Sequence, residues 1–318
     1  MKNIYLLAPD SVGILALALQ HLRQRNDVSI DFTDLVLPNE EKFKYKNSLQ
    51  RLYNVYLKNC RAQNLKNIYY NNCIQKKIKV QKLQYDTIVI IRPDLLNDES
   101  LQILRQKTRH FVAYYWDSAN FFPRKKDIAT LFDKVYSFDS ADCANYGYTP
   151  LTNFYIKEAT NEPIKIDAYG LLSYDKRKTQ LEKIAAALEL QKMNYIIKTY
   201  SQKPVESKYL TRLDTVLDYN EMLAEIAQCK VLIEVQKEGQ QGLTFRPFEA
   251  LGMEKKLITN NPRIKEYDFY CEENIFVVNP DNPTIPASFF STPYKKINSA
   301  IKHKYHVDCW FNKLISTT

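Results

Sequence analysis

The chain has 318 residues, 45% of them hydrophobic and 25% charged, which excludes a disordered chain and leaves room for two domains of about 150 residues each. It has only six glycines and neither a GxGxxG nor a Walker lysine loop, and its six cysteines are scattered without CxxC spacing. That composition excludes a Gly-rich phosphate loop, a zinc ribbon and a disulfide framework, and it suits reduced thiols in a cytoplasm.

The opening MKNIYLLAPDSVGILALALQHL has the apolar look of a secretion signal, but Pro9 and Asp10 split the run and no small-residue cleavage site follows. Residues 3–8 instead predict a buried strand, followed by a Pro-Asp-Ser-Val-Gly loop, an apolar helix over 14–25 and a second strand over 28–32. The net charge of +9 concentrates in the first half: residues 1–160 carry 23 Lys+Arg against 16 Asp+Glu, and residues 161–318 carry 22 against 20. Most of the excess lies in residues 42–85, with 11 basic residues, six interleaved tyrosines and no carboxylate. Leu49, Leu52, Val55 and Tyr56 mark part of this window as helical. Its charge suits anionic lipid headgroups, an anionic glycolipid or, less well because no reader motif is present, nucleic acid.

Residues 86–91 (DTIVII) are continuously apolar and β-branched, as in a strand covered on both faces. They end in Arg92-Pro93-Asp94 and precede a helix over 99–107. Strands over 111–115 and 134–138 repeat the pattern and end in Trp116-Asp117-Ser118 and Asp139-Ser140. Residues 156–165 are polar and aperiodic and predict a linker between domains 1–160 and 161–318. The second domain alternates again: strands over 168–173, 195–198, 230–235 and 256–259, and helices over 178–190, 220–228 and 246–253. A final helical stretch over 294–315 is free to pack back on the first domain. The expectation is an α/β protein of two Rossmann-like domains whose parallel sheets face a central cleft, with ligands beyond the carboxyl ends of the strands.

One segment carries most of the chemistry. The strand 230–235 runs through Gly239 and Gly242 into a helix expected to start at Pro247. Thr244 and Arg246 would then surround a helix N-terminus, whose free amides and positive dipole end attract phosphate. Arg246 adds a bidentate donor, and Glu249, a turn inward, is placed to accept hydrogen bonds from vicinal hydroxyls. An ordinary strand-to-helix turn, with a capping Thr and a surface Glu, explains the same residues.

The string QQGLTFRPFEALGMEKKLITNN resembles the donor-binding segment of the GT-B glycosyltransferases, two-domain enzymes that use a nucleotide-activated sugar. In that family seven residues lie between two acids. Glu249 matches the second, which implies a ribose contact, and Gln241 stands in place of the first, near the donor sugar. The resemblance implies Gly242, Thr244 and Arg246 around the diphosphate, with Lys176 or Arg177 from the loop after residue 173. It covers roughly residues 166–275, and for the first domain it is architectural.

No Asp-x-Asp pair occurs, so no metal and no other cofactor is expected. The four histidines show no ligand spacing apart from the His303/His306 pair, which is expected at the surface rather than on a metal. A transferase must manage the acceptor proton, and Asp117, then Asp10, are the candidate catalytic acids at strand ends. Trp116 is positioned to stack on a sugar, and Arg92 to meet an anionic acceptor; for each of these residues capping, packing or a structural ion pair is the alternative. These features point to a cytoplasmic, metal-independent glycosyltransferase of surface polysaccharide (lipopolysaccharide or capsule) synthesis. Its partners would be a nucleotide sugar and a glycan or anionic glycolipid, with peripheral contact to the inner membrane face through residues 42–85 and no nucleic acid. The alternatives are a non-catalytic nucleotide- or polyanion-binding protein that uses the basic window, and an epimerase or phosphorylase on the same shell.

Overall fold

In the computed structural model, which describes residues 1–10, 12–122 and 127–317, the apolar runs become strands buried on both faces. Ser11 of the first loop lies outside the described residues. The first half comprises β1 (Lys2–Ala8), α1 (Ile14–Leu22), β2 (Val28–Asp34), α2 (Ser48–Arg61), α3 (Leu65–Lys79), β3 (Tyr85–Ile91), α4 (Asp98–Gln106), β4 (Thr108–Tyr115), β5 (Lys134–Ser137), α5 (Ser140–Tyr146) and β6 (Thr149–Pro150). The second comprises β7 (Ile166–Ser173), α6 (Lys178–Leu190), β8 (Tyr195–Tyr200), β9 (Thr211–Leu213), α7 (Tyr219–Ala227), β10 (Cys229–Glu234), α8 (Phe245–Gly252), β11 (Lys256–Thr259), β12 (Ile275–Val277), α9 (Ala287–Ser291), α10 (Ser299–His303) and α11 (Val307–Ile315).

Each half builds one six-stranded, wholly parallel sheet, ordered β2-β1-β3-β4-β5-β6 and β12-β11-β10-β7-β8-β9. The second order, renumbered from β7, is the 3-2-1-4-5-6 of the Rossmann fold; the first is the related 2-1-3-4-5-6. Strand order therefore reverses between β1 and β3 in one sheet and between β7 and β10 in the other, and at such points loops diverge and open a crevice.

The halves are joined by more than the chain. Tyr219 N–H donates to the Val12 carbonyl at 2.8 Å, the Asn153 side chain donates to the Leu243 carbonyl at 3.1 Å, and Gln241 N–H donates to Asp139 at 3.0 Å. One apolar cluster runs from Ile4 and Leu15 through Phe154 to Phe248 and Trp310, so burial links the two domains as a shared core. The terminal helix α11 packs on the first sheet: Trp310 meets Tyr114 edge-on at 5.5 Å, and the Tyr136 hydroxyl donates to the Lys313 carbonyl.

Candidate functional site

The two switch points face each other across a cavity of about 610 Å³, within the range of small-molecule sites. From the first domain it is walled by Val12 and Ile14 after β1 and by Trp116 and Asp117 after β4. From the second it is walled by residues at the carboxyl ends of β7 and β8 and beyond β9 and β10, among them Leu172, Tyr200, Val216 and, on α7, Met222. These four form an apolar wall suited to a flat ring. Val216 is half-exposed in a polar loop, which was its one visible signal in the sequence.

Helix α8 aims its N-terminus at this cavity. It begins at Phe245, two residues before the expected start at Pro247. Pro is tolerated there because the first four amides of a helix have no intrahelical partner. Thr244 is the N-cap: its hydroxyl oxygen accepts from Arg246 N–H at 3.3 Å and donates to the carboxylate of Glu234. Glu234 ends β10, is buried, and also accepts from the Thr259 hydroxyl at 2.8 Å; burial raises its carboxyl above the ordinary range. Arg246 pairs with Glu249, whose other oxygen accepts from the Tyr219 hydroxyl at 2.9 Å. Glu249, expected to be open to a ligand, is thus 98% buried yet still contributes to the cavity wall, with Arg246 lying over it.

On the opposite rim Arg177 is held by Asp175 through two bonds of 2.8 and 2.7 Å and donates to the Val235 carbonyl, which ties the β7–α6 loop to the end of β10. Arg177 and Arg246 each bring a carboxylate with them, so the uncompensated charge comes from lysines. Lys176 and Lys237 have no carboxylate partner among the described residues. Both line a second cavity of about 990 Å³ that opens beside the first, and Lys237, Arg177 and Gln240 line both. Lys237 and Gln240 had no role in the sequence reading, although their place just past a switch-point strand was visible there.

Of the two carboxylates lining the first cavity, Asp117 is the one to which no cationic side chain among the described residues is bound. It is open to the cavity water but enclosed by protein on its other sides. This desolvation pushes its carboxyl above the ordinary range, against the pull of Arg92 and Lys237. Trp116 lies beside it, edge-on to Phe245 at 5.8 Å.

Four expectations need correction. Asp10 is not free for catalysis: one oxygen accepts from Gly13 and Leu15 N–H and the other from Ala16 N–H at 2.8 Å, so it caps α1. Arg92 does not reach the cavity wall; Asp94 holds it at 2.8 and 2.9 Å and it lies over the Phe122 ring. Gln241 turns away as well, its side chain accepting from Ser140 of the first domain, and Gln240 faces the cavity in its place. Gly242 is packed rather than open: a Cβ there would lie 2.3 Å from the Phe138 carbonyl oxygen. Substituting Gly242→Ala is expected to cost about 1–3 kcal/mol by overpacking this interdomain contact, read as a lower denaturation midpoint.

His306, expected at the surface, is buried and caps α11. It lies beside Asp308, which accepts from His21 at 2.9 Å and lies 3.7 Å from Arg25, so a hydrogen bond and one ion pair link α1 and its following loop to α11.

No protein-family model matches the sequence, and no curated protein matches it. Solved structures do. Anabaena HepE, solved with UDP and glucose, aligns with a TM-score of 0.58 at 10% identity, covering 98% of each chain. The UDP-forming α,α-trehalose-phosphate synthase of Burkholderia xenovorans, solved with glucose-6-phosphate, aligns with a TM-score of 0.55 at 10% identity, again covering 98% of each chain. The corresponding enzyme of Burkholderia vietnamiensis gives the same TM-score, identity and coverage. At such identities the likeness is one of fold, and with the strand orders above it shows that this chain has the GT-B fold of two Rossmann-like domains about a shared cleft.

Proposed function

We propose that the protein is a glycosyltransferase that moves a sugar from a nucleoside-diphosphate sugar to a glycan or glycolipid acceptor. The observation that carries this reading is the cavity at the paired switch points. It joins an apolar wall for a base, the N-terminus of α8 with Lys237 beside it and Lys176 in the adjoining cavity for a diphosphate, and the Asp117 carboxylate on the facing domain. That HepE was solved with UDP and glucose, and the Burkholderia xenovorans enzyme with glucose-6-phosphate, supports it.

In this reading the base and ribose lie against Leu172, Tyr200, Val216 and Tyr219, and Glu249 holds Arg246 at the ribose end. The bond between the anomeric carbon and the diphosphate oxygen breaks as the acceptor oxygen bonds to that carbon. The acceptor proton passes to Asp117. The negative charge left on the diphosphate is met by Lys176, Lys237 and the α8 amides, a balance that needs no metal ion. Trp116, beside Asp117, offers an aromatic face to the acceptor sugar. The basic first domain favours an anionic acceptor, such as an intermediate of lipopolysaccharide or capsule synthesis made at a membrane surface.

A thermal-shift panel of nucleoside diphosphates and their sugars tests this. One ligand should stabilise the fold, by about 2.7 kcal/mol at a hundredfold excess over its Kd. If no nucleotide shifts the transition while oligonucleotides bind in a salt-sensitive way, the protein is instead a polyanion-binding module.

A further inference from the structure

Helix α2 turns its apolar residues outward. Leu49, Leu52, Tyr53 and Tyr56 follow the i, i+3, i+4, i+7 spacing of a single helical face, and they are 75%, 65%, 54% and 50% exposed. Of the helix's 14 residues only Asn54 and Leu57 are buried. Ile68 and Tyr69 on the first half of α3 are exposed too, whereas Ile74, Gln75 and Ile78 anchor its second half. The buried Asn54 side chain joins the two helices, donating to Tyr45 and Asn64 and accepting from Leu65 N–H. A fixed hairpin therefore holds an apolar ridge in water, which is an unusual expense on a surface with no partner.

The ridge is flanked by exposed Lys44, Lys46, Arg51, Lys58, Arg61 and Lys66, none paired with a carboxylate among the described residues. The nearest acids that pair with this window, Glu41 and Asp31, bind Lys77 and Lys82. Among the described residues no helix is long and apolar enough to cross a membrane.

We infer that the α2 ridge docks the protein on an anionic membrane surface, with Leu49, Leu52, Tyr53 and Tyr56 entering the headgroup–acyl boundary and the flanking lysines and arginines over lipid phosphates. A second copy of the chain is disfavoured as occupant, because it would bring two acid-free basic clusters together. Nucleic acid would leave Leu49 and Leu52 exposed to water. An anionic bilayer satisfies both the apolar and the basic side chains. The inference rests on the first domain alone and holds whether or not the cleft transfers a sugar.

The full-length protein should co-sediment with vesicles of phosphatidylcholine mixed with phosphatidylglycerol, not with phosphatidylcholine alone, and salt should weaken the binding. The double variant Leu52→Asp/Tyr56→Asp should lower that binding at least about tenfold, since each CH2 withdrawn from the boundary costs about 0.8 kcal/mol. Both residues are exposed, so its Tm, its far-UV circular dichroism and its nucleotide thermal shift should match the parent. Arg51→Gln/Lys58→Gln should weaken binding to the charged vesicles in the same way. Equal binding to neutral vesicles, or unchanged binding by the first variant, overturns the inference. So does a dimer, seen by light scattering, that the first variant converts to monomer while the parent ignores vesicles.

Discussion

Substituting Asp117→Asn is expected to lower kcat by about 10²–10⁴-fold, the usual contribution of a positioned general base, while the KM for the nucleotide sugar changes little. The carboxylate lies on the first domain, across the cavity from the groups assigned to the donor, so its loss should leave donor binding intact. The pH dependence follows from desolvation, which raises the folded-state pKa above that of an exposed aspartate. A base must be ionised, so activity should be present above the raised pKa and fall as the pH drops through it, at a higher pH than an exposed aspartate would give. Stability takes the opposite sign. The folded protein holds this proton more tightly than the unfolded chain, so the penalty of ionising a desolvated carboxyl is absent at low pH. It develops as the pH rises through the unfolded and then the folded pKa. At neutral pH Asp117→Asn should therefore leave Tm unchanged or raise it. An inactive, equally stable enzyme that still shows the parent's nucleotide-induced shift is the outcome that supports the role. A variant with near-parental kcat removes Asp117 from the chemistry.

The paired parallel sheets were legible because β3, β4 and β10 are apolar runs long enough to declare a strand covered on both faces. The strands that escaped notice, β6, β9 and β12, have two or three residues each and close sheet edges, where pairing on one side replaces a full apolar signal. In α2 the 3.6-residue spacing marked a helix correctly, but spacing cannot say which way the marked face points, and here it points to solvent. At the site, residue type and a strand-end position placed Asp117, Trp116, Thr244, Arg246, Glu249 and Arg177 around one cavity. The same reasoning failed for Asp10 and Arg92, which also follow strands. Nothing in their neighbourhood shows that one carboxylate will be consumed by three amides or that one guanidinium will be locked to Asp94. In the Gln240-Gln241 pair a one-residue difference decides which side chain faces the cavity, and Gln241 is drawn instead to Ser140 and Asp139 across the domain boundary. Contacts between domains are the part of a site that a one-dimensional pattern carries least.

Substituting Glu249→Ala is expected to cost the fold about 3–5 kcal/mol and to abolish measurable nucleotide stabilisation, because it removes the buried partner of a charge. Arg246 would be left beside Met222 with no carboxylate, and the Tyr219 hydroxyl, wholly enclosed, would lose its acceptor. Such a loss alone does not separate a structural role from a ligand-directed one, and the conservative variant does. Glu249→Gln keeps the shape and an acceptor for Tyr219 but cannot hold Arg246 as an ion pair. If Glu249 serves the fold alone, Glu249→Gln should lower Tm yet keep the parental increment in Tm on adding the preferred nucleotide. If it sets the position of Arg246 for the donor, that increment should shrink and KM for the nucleotide sugar should rise about 100-fold, equivalent to about 2.7 kcal/mol. The second outcome is the expected one, since the α8 N-terminus and the Arg246–Glu249 pair form one corner of the cavity while Lys237 holds the other, with Lys176 in the adjoining cavity. A donor bridging those corners loses its register when either gives way.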